Sequence, residues 1–347
     1  MTTSREFALA GATTRLAVLL VMSSLALAGA FALKPPADVV LDGAMRQQTI
    51  DALAVELHRH YVFPDKARQI ETLLRQRLRD GKYDAIANGM QFAAQLSADM
   101  AAVAHDLHMK VRFSPEVLRP GREPNVAANA AANAAPVRNG GVEEVRRLGP
   151  AIGYLRISAF PPPSLVAARY ASALNALADT DALVIDVRDN RGGSPQSVAL
   201  LISYFVDRRT RLNDIWSRDS GQTLQFWTED RLDGKRYGGK KPVMILAGPR
   251  TASAGEDFTY TMQALQRATV VGARTWGGAH PVAPYRLGDH FYAAIPNSRS
   301  ISPITHTNWE GTGVAPDVAV APAEALEVAL DRLRRQRDAG LARRGAN

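Results

Sequence analysis

The chain contains no cysteine. That absence excludes disulfides, thiolate metal sites, a cysteine nucleophile and a lipid-modified N-terminal cysteine. Aromatic residues are few, 7% of the total, and nowhere do they interleave with clustered basic side chains. Lys plus Arg outnumber Asp plus Glu by 42 to 34, but the excess is dispersed and reads as solvated surface, so no nucleic-acid partner is expected. Neither GxxxxGKS/T nor GxGxxG stands at a strand-to-helix junction, which removes the common phosphate loops, and no cofactor is expected. His105-x-x-His108 has a spacing that can chelate, yet there is no HExxH and no obvious third ligand, so no metal is expected either. No internal repeat is evident.

What remains is an ordinary globular composition, 46% hydrophobic and 22% charged. The exception is the start. Arg5 and Arg15 precede an apolar run of 18 residues, LAVLLVMSSLALAGAFAL, followed by KPP. This order fits a secretory signal cleaved after Ala28, Ala30 or Ala32, and the run is also just long enough for a membrane anchor. Residues 1–32 are therefore read as signal peptide or membrane anchor, and the protein as exported, to the periplasm or the extracellular space, with membrane association through this segment where it is retained as an anchor.

From 38 to 104 apolar residues recur at spacings of three and four, punctuated by Pro64 and Gly81, which predicts a small bundle of three helices. Residues 115–150 are poor in large apolar side chains and read as an exposed connection ending in a short strand at VEEVRRL. Beyond it, short apolar runs (AIGYLRI, ALVIDVRD, PVMILAG, ATVVGA) alternate with helical segments. That rhythm predicts an α/β core, residues 105–325, with a mainly parallel sheet covered on both faces. YRLGDHFYAAIP alternates like an antiparallel element, and 326–347 reads as a basic C-terminal helix or tail.

Two turns carry candidate chemistry. In GPRTASAGEDF, residues 248–258, Ser253 lies between a predicted strand and a predicted helix, three residues before Glu256. Ser-x-x-Glu there is a capping box, but a hydroxyl beside the free amides of a helix N-terminus also suits a nucleophile, and the stretch alone does not choose. In LVIDVRDNRGG, residues 183–193, the paired glycines 192 and 193 let a substrate approach the main chain. A serine nucleophile needs a base, and among seven histidines His105, His108, His280 and His306 are the ones outside the first helices and predicted strands.

Taken in order, LVIDVRDNRGG, GPRTASAGEDF, ATVVGARTWGG and NWEGTGVAPDVAV resemble the C-terminal processing, or tail-specific, serine peptidase family over roughly residues 45–325. The version most similar is the branch related to interphotoreceptor retinoid-binding protein and tricorn. The resemblance implies a ClpP/crotonase-like α/β core, Ser253 as nucleophile, and a peptide or protein substrate cut through an acyl-enzyme. In the processing branch the base is a lysine 25 residues after the serine; the matching position here is Gly278. The resemblance therefore implies a Ser/His/Glu set, with His108 as base, Glu310 as its acidic partner, and the amides of Gly192 or Gly193 and Ala254 as oxyanion donors. His280 is the alternative base. No PDZ-like module fits in the connection, so tail recognition is not implied. The rival reading is a non-catalytic binding protein for an apolar ligand or peptide on the same fold.

Overall fold

The computed structural model describes residue 39 and residues 41–119 and 138–345; the expected leader at 1–32 lies outside them. Three helices open the described chain: α1 (Gly43–His60), α2 (Pro64–Arg79) and α3 (Gly89–Ala104). Each start has a local cause. The Asp42 side chain accepts the Met45 N–H, proline occupies the first turn of α2, and the Asn88 side chain accepts the Gln91 N–H. The buried residues follow the helical period: Ile50, Leu53, Ala54 and Leu57 on α1, Phe92, Leu96 and Met100 on α3.

The helices share their core with strands from much later in the chain. β1 (Lys110–Phe113) pairs antiparallel with β10 (Phe291–Pro296), which pairs with β9 (Val282–Arg286), and Phe291, Ala293 and Ile295 are buried among the helical side chains. Phe92 meets Phe291 edge to face at 5.8 Å. The alternation of YRLGDHFYAAIP thus resolves into a hairpin whose second strand is buried at every position. The described residues belong to one compact unit, so the bundle and the later core are not separate bodies.

The central sheet runs β12 (Val318–Ala319), β8 (Thr269–Gly272), β7 (Val243–Ala247), β4 (Ala182–Asp186), β3 (Ile152–Ile157), β2 (Val142–Arg147). Every pair is parallel except β2 with β3. β4 and β7 are buried throughout because helices lie on both faces, as continuous apolar runs require. One face packs against α4 (Pro163–Leu177), α5 (Pro195–Ser203) and α6 (Ala254–Ala264), through Tyr170, Leu174, Leu201 and Phe258 among others. The other is covered by α7 (Ala325–Gly345), whose Ala325, Ala329, Leu330 and Leu333 are buried. The C-terminal segment is therefore a covering element rather than a tail. A third small sheet, β11 (Ser298–Ile301), β5 (Asp214–Ser217) and β6 (Thr223–Leu224), completes the fold. No helix of the described residues is long and apolar enough to cross a membrane.

Candidate active site

The turns after β4 and β7 are locked together by their own side chains. Thr251 Oγ1 donates to the Val187 carbonyl at 2.8 Å, and the Ala252 N–H donates to the Asn190 carbonyl at 2.9 Å. The buried Asn190 side chain accepts the Gly192 N–H at 2.8 Å and donates to the Ile157 carbonyl at 3.1 Å. Gly192 and Gly193 have φ of +96° and +138°, which only glycine adopts cheaply. A Cβ on Gly192 would sit 2.7 Å from that of Ser253 and 2.9 Å from the Ala254 nitrogen, so the glycine turn lies directly against the serine.

Ser253 occupies the N-cap position of α6 with φ +53° and ψ −120°. A non-glycine residue held there costs about 1–3 kcal/mol and persists only where its surroundings impose it. Glu256 is the imposing group. Fully buried, its carboxylate accepts the Ser253 N–H at 2.9 Å, the Thr275 hydroxyl at 2.6 Å, and the Gly277 and Gly278 N–H groups at 2.5 and 3.0 Å. Burial pushes its acid strength down, raising the pKa, and these four donors oppose that. The acidic half of the capping box is therefore real, and it also joins the serine turn to the 275–278 segment. A cap and a nucleophile are not alternatives at this position.

His108 arrives from the other side. α3 ends at His105, whose left-handed backbone (φ +57°) turns the chain so that Asp106 is buried and His108 half-buried before β1 begins. His105 itself is exposed, so the spacing that suggested chelation does not bring the two rings into one buried cluster. The His108 ring meets Trp276 edge to face at 4.9 Å. Its Nδ1 is sealed from solvent without a hydrogen-bond partner among the described residues. Burial lowers its pKa to about 4, with the Asp106 charge opposing and His280 and Lys110 adding to the fall.

Glu310 closes the group. Its Oε2 accepts the backbone N–H groups of Ala279 and His280, the latter at 3.1 Å, while Oε1 is buried and unpartnered among the described residues. Burial, then the nearby Asp106 charge, push its pKa up to about 7. Donor atoms of Asp106, His108 and Glu310 all lie within 4.8 Å of one another. Asp106 is already engaged, through Oδ2 by His280 Nδ1 at 2.7 Å and through Oδ1 by the His108 backbone N–H at 3.2 Å, while the His108 Nδ1 and Glu310 Oε1 beside it are unpartnered among the described residues.

The fold thus gathers Ser253, Gly192, Gly193 and Ala254 in one group and His108 with Glu310 in a second. Gly278 touches both: its N–H donates to Glu256, and a Cβ on it would lie 2.5 Å from His108 Cε1. No hydrogen bond joins His108 to Ser253 or to Glu310 among the described residues. The Gly192 N–H is committed to Asn190, which leaves the Gly193 and Ala254 amides as the oxyanion candidates. His280, the alternative base, is buried against Asp106 and the aromatic edge of Phe63. Asp106 and Trp276 were not anticipated. The Asp between two histidines in HDLH was the available signal for the first, and the aromatic beside Gly277-Gly278 for the second.

Two family profiles match: Peptidase family S41 over residues 151–320, and the N-terminal domain of Peptidase_S41 in eukaryotic IRBP over residues 38–148. Carboxyl-terminal-processing peptidase 2 of Arabidopsis thaliana chloroplasts is 28% identical over 177 residues, 48% of this chain and 32% of that protein. Carboxy-terminal processing protease CtpB of Bacillus subtilis is 26% identical over 210 residues, 60% of this chain and 42% of that protein. The chain spans less than half the length of these curated relatives. Among solved structures, a lipoprotein from Streptococcus agalactiae shares the fold with a TM-score of 0.57 at 13% identity, over 84% of this chain and 96% of that one.

Proposed function

The chain belongs to peptidase family S41, and from that premise we propose that it is a serine endopeptidase using Ser253, His108 and Glu310. The observation that carries the reading is the position of Gly278. One contact of this residue leads through Glu256 to the strained Ser253 backbone, and another meets the His108 imidazole, so nucleophile and base flank the same glycine.

In this reading His108 Nε2 takes the Ser253 Oγ proton as Oγ attacks the scissile carbonyl of a peptide. The Gly193 and Ala254 amides hold the resulting oxyanion, aided by the N-terminal end of the α6 dipole. Collapse breaks the C–N bond, and the proton passes from His108 to the departing amine. Water, deprotonated by the same ring, then releases the acyl group from Ser253. Glu310, whose carboxylate lies within 4.8 Å of a His108 ring nitrogen, stabilises the imidazolium that forms in each half. The lowered pKa of His108 supports this role, since the ring is neutral and able to accept a proton at neutral pH. Export is part of the same reading, resting on Arg5, Arg15 and the apolar run between 16 and 33.

Covalent labelling with a fluorophosphonate tests the proposal. Wild type should label at Ser253, Ser253→Ala not at all, and His108→Ala at least a hundredfold more slowly, with peptide hydrolysis falling in parallel. A folded wild-type protein that neither labels nor hydrolyses peptides would sink the peptidase reading and favour a binder of apolar ligands or peptides.

A further inference from the structure

Behind the proposed triad lies a second acid–imidazole pair. Asp106 and His280 are 2% and 3% exposed, and His280 Nδ1 approaches Asp106 Oδ2 at 2.7 Å and Glu310 Oε2 at 3.5 Å. The two residues come from the ends of different elements, Asp106 just after α3 and His280 just before β9, and 174 positions separate them. A contact made over that distance, with both partners sealed, is costly to keep unless the pair is satisfied.

Each partner also holds a member of the triad. Asp106 Oδ1 accepts the His108 N–H, fixing the backbone that carries the base. The His280 N–H donates to Glu310 Oε2, and the Ala279 N–H does the same. Because a carboxylate only accepts, the His280 proton facing Asp106 resides on Nδ1, and that same N–H presents its positive end toward Glu310. Ser300 Oγ donates to the Ala279 carbonyl at 3.0 Å and the Trp309 indole N–H to the Gly278 carbonyl at 2.8 Å, so the 278–280 backbone has little freedom to move.

We propose that Asp106 and His280 are positioning residues that aim Glu310 at His108 and set the charge Glu310 presents there. The inference rests on the triad reading above. Two carboxylates within 4.8 Å of each other repel when both are ionised, and the His280 N–H between them offsets part of that repulsion. The remaining polar groups around Glu310 are the His108 ring and the Leu107 N–H before β1, and the buried Tyr61 hydroxyl, unpartnered among the described residues, at the end of α1. Removing either member of the inner pair therefore moves Glu310 in opposite senses. Asp106→Asn deletes a negative charge and favours the Glu310 carboxylate; His280→Gln deletes the imidazole N–H and disfavours it.

The experiment follows the Glu310 carboxyl resonance by 13C NMR against pH in the full-length protein, assigned by its loss in Glu310→Gln, with fluorophosphonate labelling rates recorded on the same samples. Asp106→Asn should lower the Glu310 midpoint by about one pH unit and His280→Gln raise it by a similar amount, with the acid limb of labelling moving in step. Unmoved midpoints, or a uniform loss of labelling at every pH, would assign the pair a merely structural role. The resonance reads the inference even if Ser253 never labels, so failure of the peptidase reading is seen separately. Should either variant fail to fold, the wild-type histidine 15N spectrum decides: a His280 signature with Nδ1 unprotonated would overturn the proposal.

Discussion

His108 and residue 278 occupy one space. A Cβ at position 278 would stand 2.5 Å from His108 Cε1 and 2.4 Å from the Trp276 ring, closer than real carbon atoms approach. The absence of a side chain at Gly278 is what admits the imidazole. The lysine base implied for the processing branch at this position and the histidine base proposed here are alternative occupants, and the sequence contains only the second.

Gly278→Ala should therefore damage function far more than its single methyl suggests. Displacing the ring by about 1 Å is enough to slow catalysis roughly a hundredfold, while overpacking costs about 1–3 kcal/mol of stability. Labelling rate against thermal melting separates the two. A variant that labels at the wild-type rate would show that His108 is not held by this contact.

Gly192→Ala tests the other side of the serine. The backbone has φ +96°, and the added carbon would meet Ser253 Cβ at 2.7 Å and the Ala254 nitrogen at 2.9 Å. Both neighbours belong to the strained turn and cannot swing away as a surface side chain would. A fall in kcat of about a hundredfold with a smaller change in KM is expected; an unchanged kcat would separate this turn from the reacting atoms.

Much of this arrangement was legible beforehand, for identifiable reasons. Helical spacing exposed α1, α2 and α3, and continuous apolar runs exposed β3, β4, β7 and β8, because burial on one stripe or two faces writes itself into local sequence. Ser253, Gly192 and Gly193 were legible as turn chemistry. His108 and Glu310 were chosen by resemblance, since nothing local distinguishes His108 from His280. Asp106 was missed because its importance lies in a partner 174 residues away. The two-residue strands β6 and β12 left no periodic trace, and 326–347 reads as a basic helix or tail because the residues α7 buries, Ala325, Ala329, Leu330 and Leu333, cluster at its start while arginines crowd the remainder.

Glu256→Gln changes one atom and should be severe. Four donors converge on the carboxylate, and its oxygens supply the lone pairs for all of them. An amide turns half of that surface into a donor, which opposes two N–H groups in a buried place. A destabilisation of roughly 2–4 kcal/mol is expected, with loss of labelling even though Glu256 touches no substrate in the proposed mechanism. Thermal melting within a degree of wild type would contradict this account of the turn.

The two titrating members of the proposed triad give the chain an internal signature against pH. Glu310 is raised from its ordinary range to about 7, and His108 is lowered to about 4. In the proposed mechanism labelling needs a neutral His108 and an ionised Glu310, so its rate should climb through about pH 7, and Glu310→Gln should be slow and lack that limb. Stability carries the mirror image. A raised acid contributes stability that is full below the unfolded glutamate range, is lost as pH rises from there through about 7, and is gone above it, so Glu310→Gln should gain on wild type across that window and run parallel to it at higher pH. A lowered histidine contributes stability present above its unfolded range near 6.5 and lost as pH falls toward about 4, so His108→Gln should gain on wild type in acid. Paired melting curves from pH 4 to 9 measure both crossings. Parallel curves for wild type and Glu310→Gln between about pH 5 and 7 would mean that Glu310 does not titrate where burial and Asp106 direct it.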